Sequence, residues 1–510
     1  MIMEAALGRS SLLRQKDVRP KGCVISVHHF DRGRSLGALS EFRREFHRCL
    51  TRRADGLFEL ADAVLCTDGP VRTLVGLSLA PEHRRGHGGL YDAVNNGRVE
   101  VDRLRDVLAG MSLPRTADGR LVLAVDVSPW LRPDGNTCPE RSFCHVYGRG
   151  KGEHHMIPGW PYSFVAALET GGTSWTALLD AVRLPPGADL AAVTVAQLRG
   201  VVERLIAACQ WRPGDPEILV VFDAGYDAPR IAYLLSDLPV RVLGRMRSDR
   251  VLRRPTPPRV HNPLGGRFPK HGAEFVFGDS ATWGAEDVTT RTDTRLYGTA
   301  TAQAWNRLHP RLTRRAAWID HDGALPIIEG TVIRLTVQHL PSGGVNKPVW
   351  LWCSATVAGP AEVDRYWRMF LRRFDIEHTF RLLKQTLGWT RPKLRAPESA
   401  DRWTWLILAV HAPLRLARPL VADLRHPWER PTEPDRLTPA RVRRGFRNLH
   451  MKIARPAQVP KPVRPGPGRP AGLKNGFVAQ RFDVGLLLTT GHAHTRPAHH
   501  KKGTKPRRTG

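Results

Sequence analysis

A chain of 510 residues with 78 Lys and Arg against 48 Asp and Glu, a formal charge of +30 and a pI near 10.9, is sized for several domains and charged for a polyanionic partner. Seven scattered cysteines, an odd number with no two separated by two residues, argue against a disulfide framework or a zinc knuckle and fit a reducing compartment. Without a secretory leader or an apolar run long enough to span a bilayer, the sequence reads as a cytoplasmic protein whose polyanion is nucleic acid rather than a membrane surface.

Residues 1–36 show no sustained periodicity and read as a flexible leader. From Glu41 the apolar positions Phe42, Phe46 and Leu50, then Leu57, Leu60, Val64 and Leu65, recur at helical spacing, which predicts a helical N-terminal domain over 37–115. Its first helix carries Arg43, Arg44, Arg48, Arg52 and Arg53, a row that suits either a solvated face or a DNA-binding surface. After the turn at Asp118-Gly119 the pattern changes to short buried strands. Leu121–Val127 comes first, with Asp126 inside its end, followed by Ser142–Tyr147 and Tyr162–Leu168 across a Gly-rich basic loop that contains His154 and His155. A helix over Val195–Cys209 precedes a fourth strand, Ile218–Phe222, which delivers Asp223 at its tip; a helix at Ala228–Ser236 and a strand at Val240–Leu243 complete this part.

The stretch from about 247 to 357 is rich in Gly, Pro and Thr, with strands at Thr331–Gln338 and Pro348–Ser354, and reads as a β-rich insertion. Its Trp283, Trp305 and Trp318 suit either core packing or stacking on an unpaired base. Phe370–Gly388 then reads as one helix. At about 100° per residue, steps of seven fall only about 20° short of two turns, so Phe370, Arg373, Glu377, Arg381 and Lys384 share one stripe, a carboxylate flanked by cations. Helices to about 425 close the folded part, and 426–510 reads as a basic Pro/Gly-rich tail unable to bury a core. Arg464 and Arg469 lie in RPGPGRP, which resembles an AT-hook core suited to the minor groove; His492, His494, His499 and His500 read as solvated tail residues.

Acids at the first strand, after the fourth strand and on a late helix resemble the ribonuclease-H-like core of DDE transposases and integrases. The local motifs are similar to those of bacterial insertion-sequence transposases: Asp126-Val127-Ser128, Asp223-Ala224-Gly225-Tyr226, and Arg373, Glu377 and Lys384 at the family's spacing, with Phe370 where the family has Tyr. The resemblance covers roughly 120–410. It implies an α/β fold, a ribonuclease-H-like mixed sheet core (116–246 and 358–425) interrupted by the insertion (247–357). It also implies a site in which Asp126, Asp223 and Glu377 hold two Mg²⁺ or Mn²⁺ ions while Arg373 and Lys384 hold flanking phosphates; Arg381 on the same stripe, and Arg464 and Arg469 of the AT-hook-like segment, are expected to bind DNA as well. The implied activity is metal-dependent cleavage of transposon ends and strand transfer, on double-stranded DNA, by a homodimer associated with the nucleoid. A DNA-binding regulator that keeps the fold without cleaving, and a nuclease or resolvase without strand transfer, are the competing readings; the three intact acids and the long insertion weigh against them.

Overall fold

The structure, a computed structural model, describes residues 24–147, 154–170, 173–258, 268–341, 343–461, 470–473, 476 and 478–484. Arg464, Arg469 and the four tail histidines lie outside the described residues, as do residues 1–23 of the leader.

The N-terminal part is helical, as the periodicity predicts. It runs α1 (Val24–Arg48), β1 (Leu50–Arg52), α2 (Ala54–Cys66), α3 (Leu74–Ser78), α4 (His87–Asn96), β2 (Arg98–Val99) and α5 (Val101–Ala109). The helix α1 starts inside the segment read as a flexible leader, so that leader does not extend to residue 36. Arg43 is buried and gives two hydrogen bonds to Asp62 of α2, at 2.6 and 3.0 Å. Arg44 pairs with Glu41, Arg48 with Glu45 and Arg53 with Asp92, so four of the five arginines read as a possible DNA face have carboxylate partners within the chain.

The core follows as β3 (Val122–Leu131), β4 (Ser142–Tyr147), β5 (His154–Leu168), β6 (Thr176–Arg183), α6 (Leu190–Ala207), β7 (Ile218–Phe222), α7 (Ala228–Leu234) and β8 (Val240–Met246). The insertion supplies β9 (Val251–Arg253), β10 (Glu274–Val276), β11 (Val288–Thr294), β12 (Gly298–Leu308), β13 (Gly330–Val337) and β14 (Val349–Cys353). The chain then returns through α8 (Pro360–Arg372), α9 (Asp375–Arg381), a π-helical turn at Leu382–Thr386, α10 (Pro397–Ala417) and α11 (Pro439–His450).

One ten-stranded sheet carries the site, in the order β11-β12-β13-β14-β8-β7-β3-β5-β4, with β6 beside β4 on the far side of β5. The strands β3, β7 and β8 are mutually parallel and β5 is antiparallel to β3, the mixed pattern of a ribonuclease-H-like core. The insertion is therefore no separate body: β14 pairs antiparallel with β8 and prolongs the core sheet by four strands. Trp305 is buried in a ring cluster with Phe275, Trp283 and Trp350, and Trp318 is buried beside Tyr233, so these tryptophans pack within the protein.

Two strand assignments are corrected. The sequence Thr176–Arg183 forms a fourth strand of the opening meander, and β5 begins at His154 rather than Tyr162. Pro158 and Gly159 suggest a loop, yet a Cβ at position 159 would lie 2.6 Å from the Trp130 carbonyl oxygen, so only glycine permits this close strand approach.

The sheet's side chains alternate between two cores. Leu123, Val125, Val220 and Phe222 face α6 and α7, whereas Val122, Ala124, Leu219 and Val221 face the layer of α8, α9 and α10. Fully burying a side chain such as Val220 or Leu123 contributes roughly 1.5–3 kcal/mol, so this alternation fixes the register in which the site residues emerge. The helix α11 lies within 426–510, read as tail; Val442, Phe446 and Leu449 on its inner face are buried and it packs on α2 and α10. That segment is therefore not disordered throughout.

Candidate active site

Parallel pairing sets Val122 against Leu219 and Ala124 against Val221. Continued by two residues, the same register brings Asp126 opposite Asp223, just past the end of β7. Asp126 has the parity of Val122 and Ala124, so its carboxylate projects toward the layer holding α8 and α9. Thr379 of α9 is within hydrogen-bonding distance of Thr176 of β6 at 2.8 Å, and Phe380 packs on Phe164 of β5, which fixes α9 across the sheet. Glu377, one turn N-terminal to Arg381 on that helix, faces the same place.

The three carboxylates meet at Arg373. Its Nη1 donates to Asp126 Oδ2 at 2.9 Å, and its Nη2 lies 3.4 Å from Glu377 Oε1 and 3.5 Å from Asp223 Oδ2. The guanidinium is 3% exposed, while the acids are 21%, 43% and 38% exposed for Asp126, Glu377 and Asp223. A buried cation is thus ringed by three carboxylates that open to solvent on the outer side. The carboxylate oxygens do not all lie within 4.8 Å of one another; the guanidinium stands between them.

Burial raises the Asp126 carboxyl to about 6, against the opposing pull of Arg373 and of the hydrogen bond from its neighbour, the Val127 amide, at 2.8 Å. Asp223 Oδ1 is buried and accepts no hydrogen bond, with Arg245 Nη1 of β8 at 3.7 Å as a nearby cation. The three carboxylates, that of Asp223 with an orphaned oxygen, form an oxygen-only donor set, the kind that hard divalent ions such as Mg²⁺ and Mn²⁺ prefer. The donor chemistry therefore fits such ions, which would take the place between the acids that the Arg373 guanidinium holds.

The other residues expected here separate. Phe370–Gly388 is not one continuous α-helix. It turns at Arg373-Phe374, and a π-helical turn from Leu382 shifts the phase of the residues C-terminal to it, closed by a hydrogen bond from Leu387 N to Leu382 O of 3.0 Å. Arg373 faces inward to the acids instead of outward to a DNA backbone. Arg381 is exposed on the outer side. Lys384 is half-buried with its ammonium 5.7 Å from the Trp389 ring centroid, and burial lowers its ammonium to about 8, opposed by the nearby Cys144 and Asp126. Tyr226 and Arg245 are the residues that motif reading did not assign. Burial pushes the Tyr226 phenol well above its ordinary range, beside Asp126 and Asp223, and its position in Asp223-Ala224-Gly225-Tyr226 was the available signal. Arg245 had none beyond its place on the strand next to β7.

A mixed sheet of ribonuclease-H-like order, with two acids side by side at its centre and a third on the covering helix, is the arrangement found in phosphodiester-cleaving nucleases. The chain belongs to the DDE superfamily: residues 45–311 match the model of a family described as DDE superfamily endonuclease. Nuclease-type catalysis on DNA, with the divalent metals such enzymes generally use, is implied by that membership. The matched residues include Asp126 and Asp223 and end before Glu377. No curated protein matches the chain. Among the described residues no helix is long and apolar enough to cross a membrane.

Proposed function

We propose that the chain is a transposase that cuts DNA at the ends of a mobile element and joins the freed 3′ hydroxyl to target DNA, with Asp126, Asp223 and Glu377 as the acids of its metal site. The observation that carries this reading is the convergence of the three carboxylates, from β3, from the end of β7 and from α9, on one guanidinium. Double-stranded DNA is the substrate in this reading, and a homodimer, which can hold both ends of an element at once, is the active form.

Asp126 and Asp223 are anchored to adjacent strands and keep their spacing, while Glu377 approaches from the helix side. Two Mg²⁺ or Mn²⁺ ions bound there would neutralise a phosphoryl oxygen and lower the pKa of the attacking water or 3′ hydroxyl. Arg373 supplies positive charge beneath the acids and holds them together. In this reading Arg381 and Lys384 would meet phosphates farther along the DNA; the Lys384 ammonium lies 5.7 Å from the Trp389 ring centroid.

The test is incubation of the purified chain with labelled DNA from the flanks of its own gene, with Mg²⁺ or Mn²⁺. Divalent-dependent nicking and joining are expected for the wild type and are expected to vanish in Asp126→Asn, Asp223→Asn and Glu377→Gln. Cleavage without joining would reduce the reading to a nuclease, and binding without cleavage would sink it.

A further inference from the structure

Far from the acids, three buried side chains with metal-binding atoms come together from separate parts of the chain. Cys66 is the last residue of α2, Glu82 lies between α3 and α4, and His450 is the last residue of α11. One donor atom of each lies within 4.8 Å of the other two, and the three residues are 2%, 6% and 0% exposed.

The surroundings of His450 set its tautomer. Its Nδ1 lies 3.2 Å from Nη2 of Arg455, and a guanidinium can only donate, so Nδ1 carries the lone pair. The proton is then on Nε2, which donates to Asp62 Oδ2 at 2.9 Å. Asp62 stands one turn before Cys66 on α2. Burial opposes its ionisation, but Arg43 and His450 together hold its carboxyl below the ordinary carboxylate range. A carboxylate behind a histidine, fixing tautomer and ring orientation, is the usual support of a metal-ligating imidazole. Glu82 accepts from Arg447 at 3.1 and 3.4 Å and keeps further lone pairs on both oxygens.

We propose that Cys66, Glu82 and His450 bind a zinc ion that fastens α11 to the N-terminal helices. A thiolate, an imidazole and a carboxylate form a donor set typical of zinc rather than of Mg²⁺. Tetrahedral zinc holds its donors roughly 3.3–3.8 Å apart, inside the 4.8 Å within which the three donor atoms already lie. The Cys66 thiol gives up its proton to solvent on ligation. Arg455, an exposed side chain, leaves Nδ1 as zinc arrives, and a water completes the tetrahedron. The ion is structural and distinct from the acids around Arg373.

The inference does not rest on the transposase reading, and its test needs no DNA. The full chain is produced in zinc-supplemented medium, desalted, and assayed for bound zinc by mass spectrometry. About one zinc per chain is expected in the wild type and equally in Asp126→Asn/Asp223→Asn, and none in Cys66→Ser or His450→Gln. Cobalt loading of the wild type is expected to give a thiolate-to-metal charge-transfer band that Cys66→Ser lacks. A wild type without zinc and without that band, or zinc retained in Cys66→Ser, overturns the proposal and leaves the cluster an ion-pair network only. If a variant fails to fold, the wild-type zinc content and cobalt band still decide.

Discussion

Replacing Arg373 by Gln removes the cation shared by the three acids and keeps a side chain of similar length. The contact with Asp126 dominates the expected cost. Both partners are largely enclosed, and a pair at about 4 Å in surroundings of effective dielectric near 20 is worth about 4 kcal/mol. Asp223 and Glu377 are more than a third exposed, so their pairs with Arg373 count for less than about 1 kcal/mol each. The loss is capped because Asp126, already raised to about 6, can take up a proton once its cation is gone. A destabilisation of about 3–5 kcal/mol is therefore expected at pH 7.5 in EDTA, in line with breaking one side of a buried pair. Divalent ions can replace the missing charge, so Mg²⁺ should stabilise Arg373→Gln more than it stabilises the wild type, where the guanidinium competes for the same oxygens. Urea denaturation with and without Mg²⁺ reads both effects. A loss below about 1 kcal/mol, or an equal Mg²⁺ increment in the two proteins, would show that Arg373 is not the counter-ion of the acids.

In metal-free protein, Asp126 is a carboxyl raised by folding, so its favourable contribution is complete below its unfolded pKa near 4 and fades as pH rises through about 6. Relative to wild type, Asp126→Asn should therefore gain up to about 3 kcal/mol between pH 4 and 7, measured by denaturation in EDTA; a difference that is flat or falls with pH refutes the assignment. The Lys384 ammonium is lowered to about 8, so its share of DNA affinity should fall as pH rises through that value, and Lys384→Met should abolish this pH dependence and reduce the salt slope of binding by about 1. Arg43→Ala leaves the buried Asp62 carboxylate without its cation and with the hydrogen bond from His450, for an expected loss of about 3 kcal/mol in chemical denaturation. Because Arg43 is buried, that substitution should leave the salt slope of DNA binding unchanged, whereas a decrease would return α1 to the DNA interface.

Much of the core was legible because its signals are local. The apolar run Ile218–Phe222 ends at Asp223 in both sequence and structure, and Asp126 stands at the centre of the sheet because the strand bearing it is flanked by β5 and β7. The strand β6 was missed because Asp180 interrupts its apolar run; only the fold reveals that Arg105 and Arg204 compensate that acid. The helix α11 was hidden by its composition, in which four arginines surround a buried face of Val442, Phe446 and Leu449 spaced like a helix. Arg373 was placed on the right stripe with the wrong partner, because sequence spacing shows what shares a face and not what lies opposite it. The Cys66, Glu82 and His450 cluster could not be read at all, since its members are up to several hundred residues apart and obey no spacing motif.

The most direct measurement of the candidate site is iron-directed cleavage of the protein backbone. Fe²⁺ loaded in place of Mg²⁺, then treated with ascorbate and peroxide, cuts peptide bonds beside the ion, and mass spectrometry maps the breaks. Cuts are expected together around Asp126, Asp223 and Glu377, suppressed by excess Mg²⁺ and lost in Asp223→Asn. Cuts confined to one of the three positions, or clustered elsewhere and indifferent to Mg²⁺, would mean that these acids do not form a single metal site.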